Sequence, residues 1–193
     1  MTLPTTVQNC PETPAALADL PCRDCATGRS LAARGYCCRD FRATLGSFAT
    51  GVTVLTMLAE NGERIGVTIS SFNSVSLEPP LILWSLSTGS PNLEAFRNAT
   101  HYSVNVLAAD QQEISDRFAA RGGDRFAGVA VREGAYGVPR IEGCCATFEC
   151  TSHAQYVAGD HLIFVGRVEH FAQDAEKLPL IFHGGRYRGL RDD

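Results

Sequence analysis

Three places in the chain carry residue types that could do chemistry. Residues 66–84, GVTISSFNSVSLEPPLILW, set Thr68, Ser70, Ser71, Asn73, Ser74 and Ser76 in one extended run whose apolar residues do not alternate cleanly. Small hydroxyls and backbone N–H groups in series suit a surface that meets a flat polar ligand; they also suit a solvated edge strand. Ser90-Pro91-Asn92 reads as a helix start, with Ser90 as N-cap and Pro91 at the first helical position, where a missing N–H costs nothing. Unpaired N–H groups there would receive an anion without any lysine, though an ordinary cap has the same residues. Gly159-Asp160-His161 is the third place, a turn whose histidine is either a solvent-facing structural residue or a polar group aimed at a ligand.

Other chemistries lack their residues. The chain has no G-x-G-x-x-G after a strand, no G-x-S-x-G and no H-E-x-x-H, which argues against a Rossmann enzyme, a serine hydrolase elbow and a zincin. Lys177 is the single lysine and follows Glu176, so a phosphate-binding Gly-Lys-Ser/Thr loop is excluded. His101, His153, His161, His170 and His183 form no i,i+4 pair, and no metal site is expected. Of eight cysteines, Cys10, Cys22, Cys25, Cys37 and Cys38 lie near the N-terminus as Cys-x-x-Cys followed by an adjacent pair, poor geometry for one tetrahedral ion. Incidental thiols are the expectation there, with a metal or redox role as the alternative. Cys144, Cys145 and Cys150 read as small buried fillers of a strand.

The 193 residues carry a net charge of −4 and 45% apolar residues, which suits one globular domain with an appendage. The basic residues form no stripe, so nucleic acid is not an expected partner. Apolar runs are strand-length, far below the roughly 20 residues of a bilayer span. The opening MTLPTTVQNC has no signal-like core, so no membrane association and a cytoplasmic location are expected.

The elements that must position these residues are mostly strands. Residues 1–39, punctuated by Pro4, Pro11, Pro14 and Pro21, are expected to be a flexible extension, and residues 40–193 the folded domain. Phe41, Leu45 and Phe48 share one helical face, with Gly51 as the stop. Residues 52–58 and 65–77 read as a hairpin or meander around Asn61-Gly62, and residues 81–86 as an apolar strand buried on both faces. A short helix over 93–97, a strand over 101–107 and a helix capped by an Asp110/Glu113 box follow. Residues 121–139 read as a long glycine-rich loop, residues 141–157 and 161–171 as a hairpin, and residues 180–182 as a last strand before Gly184-Gly185. Many strands with only short helices between them favour an antiparallel barrel over a doubly wound sheet.

These segments carry a resemblance. FRATLGSFATGVTVLT (41–56), the hydroxyl-rich segment, YSVNVLAADQQEISDRFA (102–119), AGDHLIFVGRVE (158–169) and PLIFHGGRYRGL (179–190) together closely resemble, in order, the flavin reductase-like family. These are the small reductase components of two-component flavin-dependent monooxygenases. The resemblance implies a mainly β fold, an antiparallel split β-barrel with short flanking helices, acting as a homodimer. It implies that FAD or FMN is reduced by NADH or NADPH and passed to a flavin-dependent monooxygenase. The isoalloxazine is expected along Thr68, Ile69, Ser70, Ser71, Phe72 and Ser74, and the flavin phosphate near Ser87, Ser90 and Asn92. His161, with Gly159 and Asp160, is expected by the nicotinamide as the catalytic residue, and Tyr187 matches a recurrent aromatic of the closing segment. Arg117, Arg121 and Arg125 either meet an adenosine phosphate or form a solvated helix face. Hydride transfer between cofactors explains the absence of a nucleophile or metal constellation. Two rivals share this reading of the residues: a flavin-bound reductase of another acceptor, such as a corrin or ferric complex, and a non-catalytic flavin-binding module.

Overall fold

The computed structural model describes residues 38–190 of the chain. Most of the expected extension, with Cys10, Cys22, Cys25 and Cys37, lies outside the described residues, as do residues 191–193. Helix α1 (Cys38–Leu45) is followed by β1 (Thr50–Gly51), β2 (Thr53–Leu58), β3 (Arg64–Ile69), β4 (Asn73–Leu77) and β5 (Pro80–Ser87). Then come α2 (Leu93–Asn98), β6 (His101–Val106), α3 (Gln112–Ala119), β7 (Val131–Glu133), β8 (Pro139–Ile141), β9 (Ala146–Ala158), β10 (His161–Gln173), β11 (Ile181–His183) and β12 (Arg186–Arg188). A 3-10 turn at Ala135–Gly137 joins β7 to β8.

Seven strands form one antiparallel sheet in the order β3-β2-β6-β9-β10-β5-β4. β3 also contacts β5, so the sheet curls and brings the end strand β3 back against the penultimate strand at its other side. Alternation sends Leu55, Met57, Trp84, Leu86, Tyr102, Val104, Leu162 and Phe164 into one core, which Phe96 of α2 closes. Trp84 and Phe164 are directly opposed across β5 and β10 and stack at 4.1 Å between ring centroids.

The opposite face of β2 and β6 is covered differently. Val52, Val54, Leu107, Phe118, Phe126, Ile141 and Leu180 form a second core beneath α3 and the closing hairpin β11–β12. Buried polar groups fasten the β7–β8 hairpin there, since Ile141 N–H donates to Asn105 at 2.9 Å and Ala135 N–H to the Glu149 carboxylate at 2.8 Å.

Several sequence expectations are corrected. Residues 65–77 are not one strand of a meander: the run breaks at 70–72, and β3 and β4 lie at opposite ends of the sheet. Residues 121–139 contain β7 and end at β8, a short hairpin hidden by glycines. α1 ends at Leu45, before Gly46 rather than Gly51, and Phe41, Leu45 and Phe48 are all exposed. The Asp110/Glu113 box is not formed, because Gln111 holds the cap position and its Oε1 accepts the Ala108 N–H at 3.0 Å. Cys150 lies in β9, but Cys144 and Cys145 precede it; all three are buried free thiols.

Candidate flavin and nucleotide site

The end of β5 and the β9–β10 turn meet. Antiparallel pairing puts Ser87 opposite His161, and Gly159 takes φ +62 in the turn that reverses the chain. Both the N–H and the hydroxyl of Thr88 donate to the carbonyl of Asp160, at 2.9 and 3.1 Å. His161 Nδ1 lies 2.7 Å from Asp160 Oδ1, with the ring's side chain 45% exposed. Two segments far apart in sequence, 87–92 and 159–161, are thereby one surface.

The 87–92 turn departs from the expected cap. Asn92, not Ser90, is the N-cap residue of the six-residue α2. Within the turn, Ser87 Oγ accepts Gly89 N–H, Ser90 Oγ accepts Asn92 N–H, and the Ser87 carbonyl accepts Ser90 N–H. The Leu93 N–H reaches the Ser90 carbonyl. These amides are therefore spent on the turn, and what Ser87 and Ser90 keep for a ligand is the O–H of each hydroxyl.

Residues 70–72 cross from one end of the sheet to the other. Ser71 Oγ bonds both the N–H and the carbonyl of Ser85, each at 3.0 Å, which pins the crossing to β5. Phe72 stacks on Phe148 at 5.6 Å. Ile69 is buried in the first core, so it supplies packing, and any ligand contact there falls to its backbone. Ser74 follows in β4, whose register slips between Ser74 and Ser76.

Thr68 faces α3 instead. Its hydroxyl donates to the Ser115 carbonyl at 2.7 Å, and Ser115 Oγ lies 2.8 Å from Tyr187 Oη. Tyr187 also donates to Asp116 at 2.8 Å. Burial first, and then the Asp116 carboxylate, raise the Tyr187 phenol above its ordinary value, against a lowering by Ser115. Ser115 is fully buried, a residue the sequence reading misses; the available signal is a small polar residue between Ile114 and Phe118 on the buried stripe of an otherwise exposed helix.

A cleft of about 490 Å³ opens next to this surface, lined by Arg64, Gly66, Asn92, Gly122, Gly123 and Arg125 among others. Asn92 Nδ2 and Arg125 Nη1 both donate to the Gly66 carbonyl, at 3.4 and 2.8 Å. Arg117 and Arg121 are exposed, with Arg117 donating to the Ala127 carbonyl at 2.7 Å, whereas Arg125 is half-buried and its Nε donates to the Ala120 carbonyl at 3.1 Å. Glu63 and Asp124 also border the cleft. The guanidiniums of Arg64 and Arg125, with glycines at 122 and 123 that have open space above them, fit a phosphate-bearing ligand, and the Ser87 and Ser90 hydroxyls lie on the adjoining turn.

No group of three or more metal-ligating side chains occurs among the described residues. No helix among them is long and apolar enough to cross a membrane.

Known proteins resemble this chain across most of its described residues. Residues 45–191 match the family model described as Flavin reductase like domain. The chain is 47% identical over 150 residues to the FMN reductase (NADH) SmoA of Agrobacterium fabrum, covering 77% of this chain and 84% of that protein. It is 41% identical to the reductase component of the flavin-dependent trigonelline monooxygenase of Acinetobacter baylyi, covering 78% of this chain but 47% of that longer protein. Among solved structures, the Streptomyces globisporus NADH:FAD oxidoreductase SgcE6, in complex with NAD and FAD fragments, superposes with a TM-score of 0.77 at 35% identity, covering 80% of this chain and 93% of that one. With the family model spanning most of the chain, and an antiparallel β fold to match, the protein belongs to the flavin reductase-like family.

Proposed function

We propose that this chain is an NAD(P)H:flavin oxidoreductase that reduces FAD or FMN and supplies reduced flavin to a partner flavin-dependent monooxygenase. The observation that carries the reading is the double donation of Thr88 to the Asp160 carbonyl, which seats the expected flavin-phosphate turn against the Gly-Asp-His turn. When bound, flavin supplies the hydride-accepting ring and NAD(P)H the hydride. The protein's part is to hold and orient both. Ser87, Ser90 and Asn92, with Arg64 and Arg125 of the adjoining cleft, would hold phosphate. The backbone of Thr68 and Ile69, with Ser70, Ser71, Phe72 and Ser74, would border the ring, and His161, oriented by Asp160, would meet the nicotinamide.

Assembly as a homodimer belongs to the same proposal. Phe41, Leu45 and Phe48 are large exposed apolar side chains, and Leu77 in the end strand β4 is 93% exposed. Such surface favours pairing with a second copy. Sedimentation equilibrium at micromolar concentration should give twice the chain mass, and Phe48→Asp should shift it toward the monomer.

The reaction is tested by following NADH and NADPH oxidation by absorbance with the purified chain and added FAD, FMN or nothing. Rapid oxidation only with free flavin is the expected result and identifies both cosubstrates. Tight flavin binding without nucleotide consumption would replace the enzyme by a binding module. Retention of flavin through turnover, with faster reduction of a ferric or corrin acceptor than of free flavin, would replace the monooxygenase partner.

A further inference from the structure

Tyr187 is held by two partners at once, and their chemistry fixes the direction of the chain. The phenol has one proton, and it goes to Asp116 Oδ1 at 2.8 Å because a carboxylate can only accept. The contact with Ser115 Oγ at 2.8 Å must then run the other way, Ser115 O–H to Tyr187 Oη. The carbonyl of the same Ser115 accepts the Thr68 hydroxyl at 2.7 Å. Thr68 on β3, Ser115 and Asp116 on α3, and Tyr187 on β12 thus form one connected network across three elements. The fit between α3 and β3 has no slack, since a Cβ at Gly66 would stand 2.4 Å from the Phe118 ring.

From this network we infer that Tyr187 is a positioning residue for flavin, acting through Ser115 on β3 rather than touching the ligand. The inference rests on the proposed placement of flavin along residues 68–74. The phenol both donates and accepts within this network, and its half-buried ring packs against Phe182 at 5.6 Å, on the edge of the second core. What it controls is where the Ser115 carbonyl stands, and with it the seat of Thr68 at the start of the ring-binding segment. The Thr68 hydroxyl proton is spent on that carbonyl, so the segment is fixed before ligand arrives, which lowers the ordering cost of binding.

The test is flavin affinity of the full chain, read as quenching of FMN and FAD fluorescence on titration, alongside KM for flavin and for NADH. Tyr187→Phe keeps the packed ring and deletes only the hydroxyl; it should weaken flavin binding about threefold to tenfold while leaving KM for NADH unchanged. Ser115→Ala should cause a similar loss, and the double variant little more, because both break one network. Asp116→Asn, which retains an acceptor for the phenol but removes its charge, should lose less flavin affinity than Tyr187→Phe. Additive losses in the double variant would mean that Tyr187 meets flavin itself and would overturn the inference. A lowered melting temperature with flavin affinity intact would overturn it equally, as a purely structural role. Failure of the unaltered chain to bind either flavin would instead overturn the proposed function, and this inference with it.

Discussion

Thr88 donates twice to the carbonyl oxygen of Asp160, through its N–H at 2.9 Å and its hydroxyl at 3.1 Å. A turn after β5 is thereby locked to the turn between β9 and β10, 72 positions later in the chain. Thr88→Val preserves shape and the N–H bond but removes the hydroxyl bond. The expected stability loss is below about 1 kcal/mol, because the site is exposed and one bond survives. KM for NADH should rise about threefold, since the Asp160–His161 pair loses one tether. Thermal melting and steady-state kinetics check the two parts, and an unchanged KM would mean that the backbone bond alone seats the turn.

His161 itself gives a larger effect. Its Nδ1 sits 2.7 Å from Asp160 Oδ1. In the neutral ring this places the proton on Nδ1 and leaves Nε2 as an outward acceptor. His161→Ala should raise KM for NADH about tenfold and change flavin affinity by less than about twofold. Equal losses toward both ligands would remove the nicotinamide role. Asp160→Asn should fall between, since the ring remains but its orientation loosens.

Gly66 lies where β3 passes beneath α3. An added Cβ would stand 2.4 and 2.6 Å from Phe118 ring atoms and 3.3 Å from the Leu55 carbonyl. Phe118 cannot swing aside freely, because it is buried and packs edge-to-face on Phe126 at 4.9 Å. Gly66→Ala should therefore cost about 1–3 kcal/mol by overpacking and push α3 away from Thr68. Urea denaturation measures the cost. Phe118→Leu introduced into the same variant should recover part of it, and no recovery would place the strain elsewhere.

The strands were legible where local chemistry decides them. A β-branched run marks β2, an apolar run marks β5, Asn61-Gly62 marks a real turn with Gly62 at φ +81, and Gly159 marks the β9–β10 reversal. The site was legible mainly through family resemblance, because its assembly is non-local: the neighbours of β9 are β6 and β10, and β5 pairs with β10. The separation of β3 from β4 depends on the curl of a whole sheet, which no period in residues 65–77 reports. Capping was read from residue type, yet Gln111 displaced Asp110 at α3 because its longer side chain reaches back to Ala108 N–H. Phe41 and Leu45 give a correct helical signal while Phe48 lies beyond the end of α1, and periodicity does not say which surface covers the face.

Alkaline pH should unfold this protein through its thiols. Burial pushes the Cys144 and Cys150 thiols up to about 12, with Cys145 adding to the first and Glu169 and Glu149 to the second. In the unfolded chain these thiols ionise near their ordinary value of 9.0. Above that value the unfolded state sheds protons that the folded state retains, so folding stability is full below about pH 9 and declines until about pH 12. Burial also raises the Tyr102 phenol, which extends the decline in the same direction. Urea denaturation at about pH 8, 10 and 11 should show a loss corresponding to about two protons from the thiols. Replacing both with alanine should lower stability at neutral pH through the cavities left, yet flatten the alkaline slope. An equally steep slope in that double variant would assign the alkaline loss to other groups, Tyr102 first among them.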